Sequence, residues 1–177
     1  MTPPSSSIRL ATLEEMPEVV SVDDDATQLY ARAGIELGLT NDHPFAVDER
    51  RRWRRSAELG RLFVAVAEAR IIGFASLDVL DGEPYLDQLS VRAASCRRGV
   101  GRALLRRAIA WATQQRGAAI WLTTYGQVAF NRPFYETEAF VVMPESACGP
   151  GVLHHLMEQQ RWLPFPEHRV AMRRALP

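Results

Sequence analysis

Three short apolar runs followed by one long helical repeat leave this chain few folds. Leu62–Ala67 is an unbroken apolar run, and Ile71–Leu80 is a second after a tight turn at Glu68–Arg70. Asp81-Gly82 is a strong hairpin signal, and Tyr85–Val91 is a third run. From Gly99 to Gln115 the pattern changes, with Val100, Leu104, Leu105, Ala108, Ile109 and Trp111 at helical spacing. Ala119–Thr124 then reads as a buried strand. Hairpins followed by a strand–helix–strand crossover predict an α/β sandwich around a mixed sheet.

The flanks fit that frame. Ile8 and Leu10 mark a short strand, and Thr12 with Glu15 forms a capping box that starts a helix near Leu13. The helix is expected to run past Val19 and Val20 toward Tyr30, with Pro17 tolerated in its first turn. Gly34–Pro44 reads as a surface loop, and Asp48–Gly60, around Trp53, Ala57 and Leu59, as a surface helix closed by its glycine. Gly117 is expected to end the central helix. Asn131–Ala139 reads as a short helix with Pro133 in its first turn, Phe140–Val142 as a strand, Pro150–Arg161 as a helix and Arg169–Arg173 as a last strand. Residues 1–7 are expected to be a flexible lead-in and 8–177 a single domain, which suits a chain of 177 residues.

Charge narrows the chemistry. All 21 basic residues are arginine, balanced by 21 acidic ones. A neutral chain lacks the basic footprint of a nucleic-acid binder. Without lysine there is no Schiff-base or lysine general base, and no P-loop lysine. Cys96 and Cys148 are too few for a disulfide framework or a four-thiolate zinc site, and no metal is expected. The N-terminal residues contain no apolar core of a secretory signal, and no apolar run is long enough to span a bilayer. A cytoplasmic protein without membrane partners is expected, as a monomer or a homodimer.

The segment richest in chemistry joins Asp87-Gln88-Leu89-Ser90-Val91 to Cys96-Arg97-Arg98-Gly99-Val100-Gly101-Arg102. A strand ends, a glycine-containing turn follows and a helix begins. Gly99 and Gly101 admit close approach to the main chain, and the amides of a helix's first turn favour an anion. Arg97, Arg98 and Arg102 add positive charge. This is the physics of a pyrophosphate seat, or else a plain helix start with flexible glycines. It is not a dinucleotide fingerprint, because the third glycine would fall at Leu104.

These residues resemble the acetyl-CoA motif of the GNAT acyltransferase superfamily, a strand ending in valine, a loop, then [QR]-x-x-G-x-[GA] opening a long helix. Cys96 stands where Gln or Arg is usual, and Ala93 where the loop has proline. A second block, Asn131-Arg132-Pro133-Phe134-Tyr135-Glu136-Thr137-Glu138-Ala139-Phe140, resembles the family's N-x-P-F-Y-x-x-x-G-F, with Ala139 in place of glycine. The resemblance covers roughly Ile8 to Met172, and the segment from Gly149 to Arg173 is similar to a bacterial branch with undefined acceptors.

The resemblance implies a mostly antiparallel central sheet flanked by helices, with acetyl-CoA as cosubstrate. It implies acetyl transfer to the amine of a small molecule or amino acid by direct attack on the thioester. A non-catalytic acyl-CoA sensor and a protein or peptide N-acetyltransferase are the alternatives. The main chain of Leu89, Ser90 and Val91 would hold the pantetheine and the oxyanion, and residues 97–102 the pyrophosphate. Tyr135 would protonate the leaving thiolate, unless it is only a packing aromatic beside Phe134. Asp87 would take the amine's proton directly or through water, or is a solvated strand carboxylate; Glu83 is a second candidate. Asn131 bonds the cofactor or caps the Pro133 helix. Tyr85, Thr124 and Tyr125 would line the acceptor site, with loops 30–47 and 143–151. Asp24, within Asp23-Asp24-Asp25, either lies on a solvated helix face or draws a cationic amine. Arg50-Arg51-Arg52 with Arg54-Arg55 reads as a helix face balanced by Glu49 and Glu58, or as a contact for the cofactor's 3′-phosphate. His154-His155 is a poor metal site, since adjacent helical side chains diverge.

Overall fold

A computed structural model describes residues 6–177; the expected lead-in over 1–7 lies mostly outside the described residues. The strands are β1 (Ser7–Leu10), β2 (Leu62–Ala67), β3 (Arg70–Leu80), β4 (Glu83–Val91), β5 (Ala119–Tyr125), β6 (Val141–Met143) and β7 (Arg169–Ala175). The helices are α1 (Met16–Arg32), α2 (Pro44–Glu58), α3 (Val100–Gln114), α4 (Arg132–Glu136) and α5 (Pro150–Trp162). The strands form one sheet in the order β1-β2-β3-β4-β5-β7-β6. β4 and β5 run parallel, aligned at Tyr85 and Trp121, while β1–β2, β2–β3, β5–β7 and β6–β7 are antiparallel. This is the mixed sheet that the patterns predict, and mostly antiparallel as the resemblance implies.

The chain divides into two compact units, one of residues up to Asp78 with Gln88–Ala110, the other of Val79–Asp87 with Trp111–Pro177. In the first, Met16, Val19 and Val22 of α1 pack with Trp53 of α2 and with Leu62, Val64, Ile71 and Phe74 of the sheet. Trp53 meets Phe74 edge-on at 5.2 Å between ring centres. The capping box is present: Thr12 N donates to Glu15 Oε2 at 2.9 Å, and a single 3-10 turn over Leu13–Glu15 leads into α1. α2 starts four residues before Asp48. Pro44 opens it, and the His43 ring nitrogen accepts from Phe45 N at 3.1 Å. Histidine is not among the usual N-caps, so the start is signalled by Pro44 alone.

In the second unit Tyr85, Ala119, Trp121, Val152, Leu156 and Ala171 form the core. Asp81 does more than turn the hairpin. Its carboxylate accepts from Gly151 N (2.8 Å) and Val152 N (3.2 Å), so it caps α5. A Cβ on Gly149 would fall 2.3 Å from that carboxylate. Gly117 is also a matter of space. The left-handed residue after α3 is Arg116 (φ 59°), whereas a Cβ on Gly117 would lie 2.3 Å from Pro84 Cδ. Among the described residues no helix is long and apolar enough to cross a membrane.

Candidate functional site

In the first unit the site is built on β4, the turn after it and α3. Leu104, Leu105 and Ala108 anchor α3 in the core. The α3 ladder begins with Ala103 N donating to Gly99 O at 2.9 Å, which directs the preceding amides along the helix's N-terminal axis. Gly99 has φ 84°, a left-handed conformation that favours glycine, with open space where a Cβ would be. Arg97, at φ 59°, Arg98 and Arg102 are exposed around this turn.

The turn is tied down on its inner side. Ala93 N donates to Asp25 Oδ2 at 2.6 Å, and Arg92 Nε donates to Ile71 O at 2.9 Å. The Cys96 thiol donates to the carbonyls of Val91 (3.7 Å) and Arg92 (3.5 Å). Burial, reinforced by Asp25, pushes this thiol's pKa up. Cys96 is therefore a closure of the turn and not a nucleophile.

The aspartate run is not a solvated helix face. Only Asp24 is well exposed, at 58% of its side chain, with Arg50 3.7 Å away. Asp23 Oδ1 accepts from Gln88 Nε2 (2.7 Å) and Ser90 Oγ (2.6 Å), bracketing Leu89 on β4. Burial raises the Asp23 pKa, and the bonds from Ser90 and Gln88 oppose that rise. Asp25 serves Ala93, as above. The arginine run on α2 is balanced as a helix face: Arg52 bonds Asp48, Arg50 reaches Asp24 and Arg54 lies 3.3 Å from Glu58.

In the second unit the candidates are held by a buried polar chain. Tyr85 is fully buried, with its hydroxyl 2.9 Å from Thr123 Oγ1. Thr123 donates to Gln159 Oε1 at 2.7 Å, and Arg169 donates to the same oxygen. The Arg169 guanidinium lies 4.5 Å over the Tyr125 ring, whose hydroxyl donates to Pro164 O at 2.6 Å. Thr124 is buried beside it. Glu83 accepts from Ala119 N at 3.1 Å, which gives it a structural task.

Asp87 is not a solvated carboxylate: its side chain is only 3% exposed. His155 Nδ1 of α5 faces Asp87 Oδ1 at 4.0 Å, and the His155 ring tilts against Tyr85 at 5.2 Å. Asn131 precedes α4 and is buried, but its side chain makes no capping bond, which corrects the expected cap. Tyr135 is 8% exposed and meets Phe134 and Phe140 edge-on at 5.2 and 5.7 Å. Ala139 holds φ 63°, the left-handed conformation for which the family motif supplies glycine. No group of three metal-ligating side chains occurs among the described residues.

Asp23 and His155 escaped the sequence reading. Gln88 and Ser90, polar and alternating on one strand face, were the signal for a buried acceptor. His155 lies three residues after buried Val152 and four before buried Gln159, on the inner face of α5.

A family model described as acetyltransferase (GNAT) family matches residues 23–140. Solved structures of the same fold cover nearly the whole chain. An acetyltransferase of the GNAT family from Staphylococcus aureus Mu50 is 17% identical with a TM-score of 0.73, over 98% of this chain and 100% of that one. PaiA N-acetyltransferase from Thermoplasma acidophilum, in complex with coenzyme A, is 16% identical with a TM-score of 0.66, over 97% and 99%. Ribosomal-protein-alanine N-acetyltransferase from Brucella melitensis is 19% identical with a TM-score of 0.66, over 96% and 99%. At these identities the likeness is one of fold. The family match, running from α1 through α4 and including both motifs, is the identifying one: the chain belongs to the GNAT family of acetyltransferases.

Proposed function

We propose that this chain transfers the acetyl group of acetyl-CoA to the amine of a small molecule or amino acid, with 8–177 working as one acyltransferase domain. The observation that carries the reading is the start of α3. A left-handed Gly99, exposed arginines at 97, 98 and 102, and helix-terminal amides from Val100 onward suit a diphosphate. The coenzyme A in the Thermoplasma acidophilum complex supports the same ligand.

The residues divide the work. The main chain of Leu89, Ser90 and Val91 bonds the pantetheine arm, and an amide there stabilises the oxyanion formed at the thioester carbonyl. Asp23, by bonding the side chains on either side of Leu89, keeps this stretch of β4 in register. Asn131, buried just before α4, bonds the cofactor. Tyr135 donates its phenolic proton to the departing thiolate. Asp87 assists the removal of the amine's proton. Tyr85, Thr124 and Tyr125 act as a rigid wall behind the acceptor, and Asp24 attracts its positive charge.

The test is calorimetry with coenzyme A, followed by thiol release from acetyl-CoA with lysine, glutamate, spermidine, tyramine and an alanine-initiated peptide. Binding with release from one or more of these supports the reading. Turnover with the peptide alone would transfer the assignment to a protein acceptor. Binding with no release from any would make the chain a sensor.

A further inference from the structure

Asp87 is poorly placed to meet an amine itself. Its carboxylate is almost closed off, and the group in front of it is an imidazole five times as exposed, at 15% against 3%. Tyr85 fixes that ring from the side, and the Tyr85 hydroxyl is itself pinned to Thr123 and through it to Gln159 on α5. An imidazole oriented by a carboxylate, with one nitrogen turned toward it, is the arrangement of a general base and its positioning residue.

Resting on the acetyl-transfer reading, we propose that His155 is the base that deprotonates the acceptor amine, and that Asp87 positions it. His155 Nε2 takes one proton from the entering ammonium while Nδ1–H is held toward Asp87. The freed lone pair attacks the thioester carbonyl, the C–N bond forms and the C–S bond breaks with its electron pair on sulfur. Tyr135 gives the sulfur its proton and regains one from the new amide nitrogen. His155 then passes its own proton to water. The charged and titratable groups around the imidazole are Asp87 and Tyr85 of β4 and His154 on α5 itself. Arg169 of β7 bonds Gln159 one turn further along, Glu167 and His168 lie 3.6 Å from each other in the turn before β7, and β5 offers the neutral Thr123. Asp87 Oδ1 faces the ring at 4.0 Å.

The experiment is kcat against pH with saturating amine from the panel above. Wild type loses rate as pH falls and the imidazole becomes protonated. His155→Gln loses about 100-fold at neutral pH and loses that acid limb, with coenzyme A affinity unchanged. Asp87→Asn loses on the order of tenfold and shifts the limb to lower pH, because the carboxylate that favours the imidazolium is gone. Added imidazole partly restores His155→Ala. His154→Gln, altered on the exposed neighbour, matches wild type. A wild-type profile flat through the acid range, or His155→Gln equal to wild type, overturns the proposal and leaves acetyl transfer standing. Wild type that binds coenzyme A but releases no thiol with any amine overturns acetyl transfer, and this proposal with it.

Discussion

Under the proposed function, the two units of this protein do different kinds of chemistry with different parts of the chain. In the unit containing α3, the groups proposed to face the ligand are main-chain amides, and the side chains nearby serve to fix the turn: Asp25 holds Ala93, Asp23 holds Gln88 and Ser90, and Cys96 closes on two carbonyls. In the unit containing α4 and α5, the groups proposed to react are side chains, a phenol at Tyr135 and an imidazole backed by Asp87. A main-chain site depends on backbone shape and tolerates substitution of its side chains. A side-chain site keeps its shape under a conservative substitution and loses its chemistry. On the proposed reading, that difference lets Cys96 and Ala93 occupy positions where the family pattern has other residues.

The largest expected effect breaks backbone shape. Gly99→Trp forces a left-handed position on a residue with a Cβ and sets an indole where amides must meet the diphosphate. Coenzyme A binding by calorimetry weakens by at least about 100-fold, roughly 2.7 kcal/mol. Tyr135→Phe comes next and does the reverse. It keeps the ring contacts with Phe134 and Phe140, lowers kcat by about 100-fold and leaves coenzyme A affinity unchanged. Equal turnover in the phenylalanine variant removes Tyr135 from proton donation and reduces it to packing.

A smaller effect is expected at the buried Asp23. Asp23 meets only neutral donors, and burial raises its pKa. Its protonated form is favoured in the folded state, so its contribution to stability is full below the ordinary carboxylate range and is lost as pH rises through the raised folded value. Asp23→Asn keeps an oxygen for Gln88 and Ser90 without the buried charge. Thermal denaturation shows the variant more stable than wild type at neutral pH, with the gap closing on acidification. A gap that widens in acid would mean the charge is stabilising. The smallest effect is at the divergent motif position. Cys96→Ala shifts coenzyme A affinity within about threefold, under 1 kcal/mol, because only a turn-closing thiol is lost. A larger shift would place a side-chain contribution inside the main-chain site.

Much of the fold and the outline of the candidate site could be read from neighbouring residues. The change of period between Val91 and Val100 set the sheet and its crossover helix, and the capping box of Thr12 and Glu15 placed the start of α1. Gly99 and the Asn131–Phe140 block marked the two motifs because φ preferences and helix starts are decided within a few residues. Partners were another matter. Asp23 finds Gln88 and Ser90 65 and 67 residues away, Asp25 finds Ala93 68 away, and Asp81 finds Gly151 70 away. His155 meets Asp87 only once α5 has packed on the second unit's core. Whether a carboxylate is solvated, buried against neutral donors or paired with an imidazole depends on what the folded chain brings to it. Local periodicity fixes where a side chain leaves the backbone, and packing fixes what it meets.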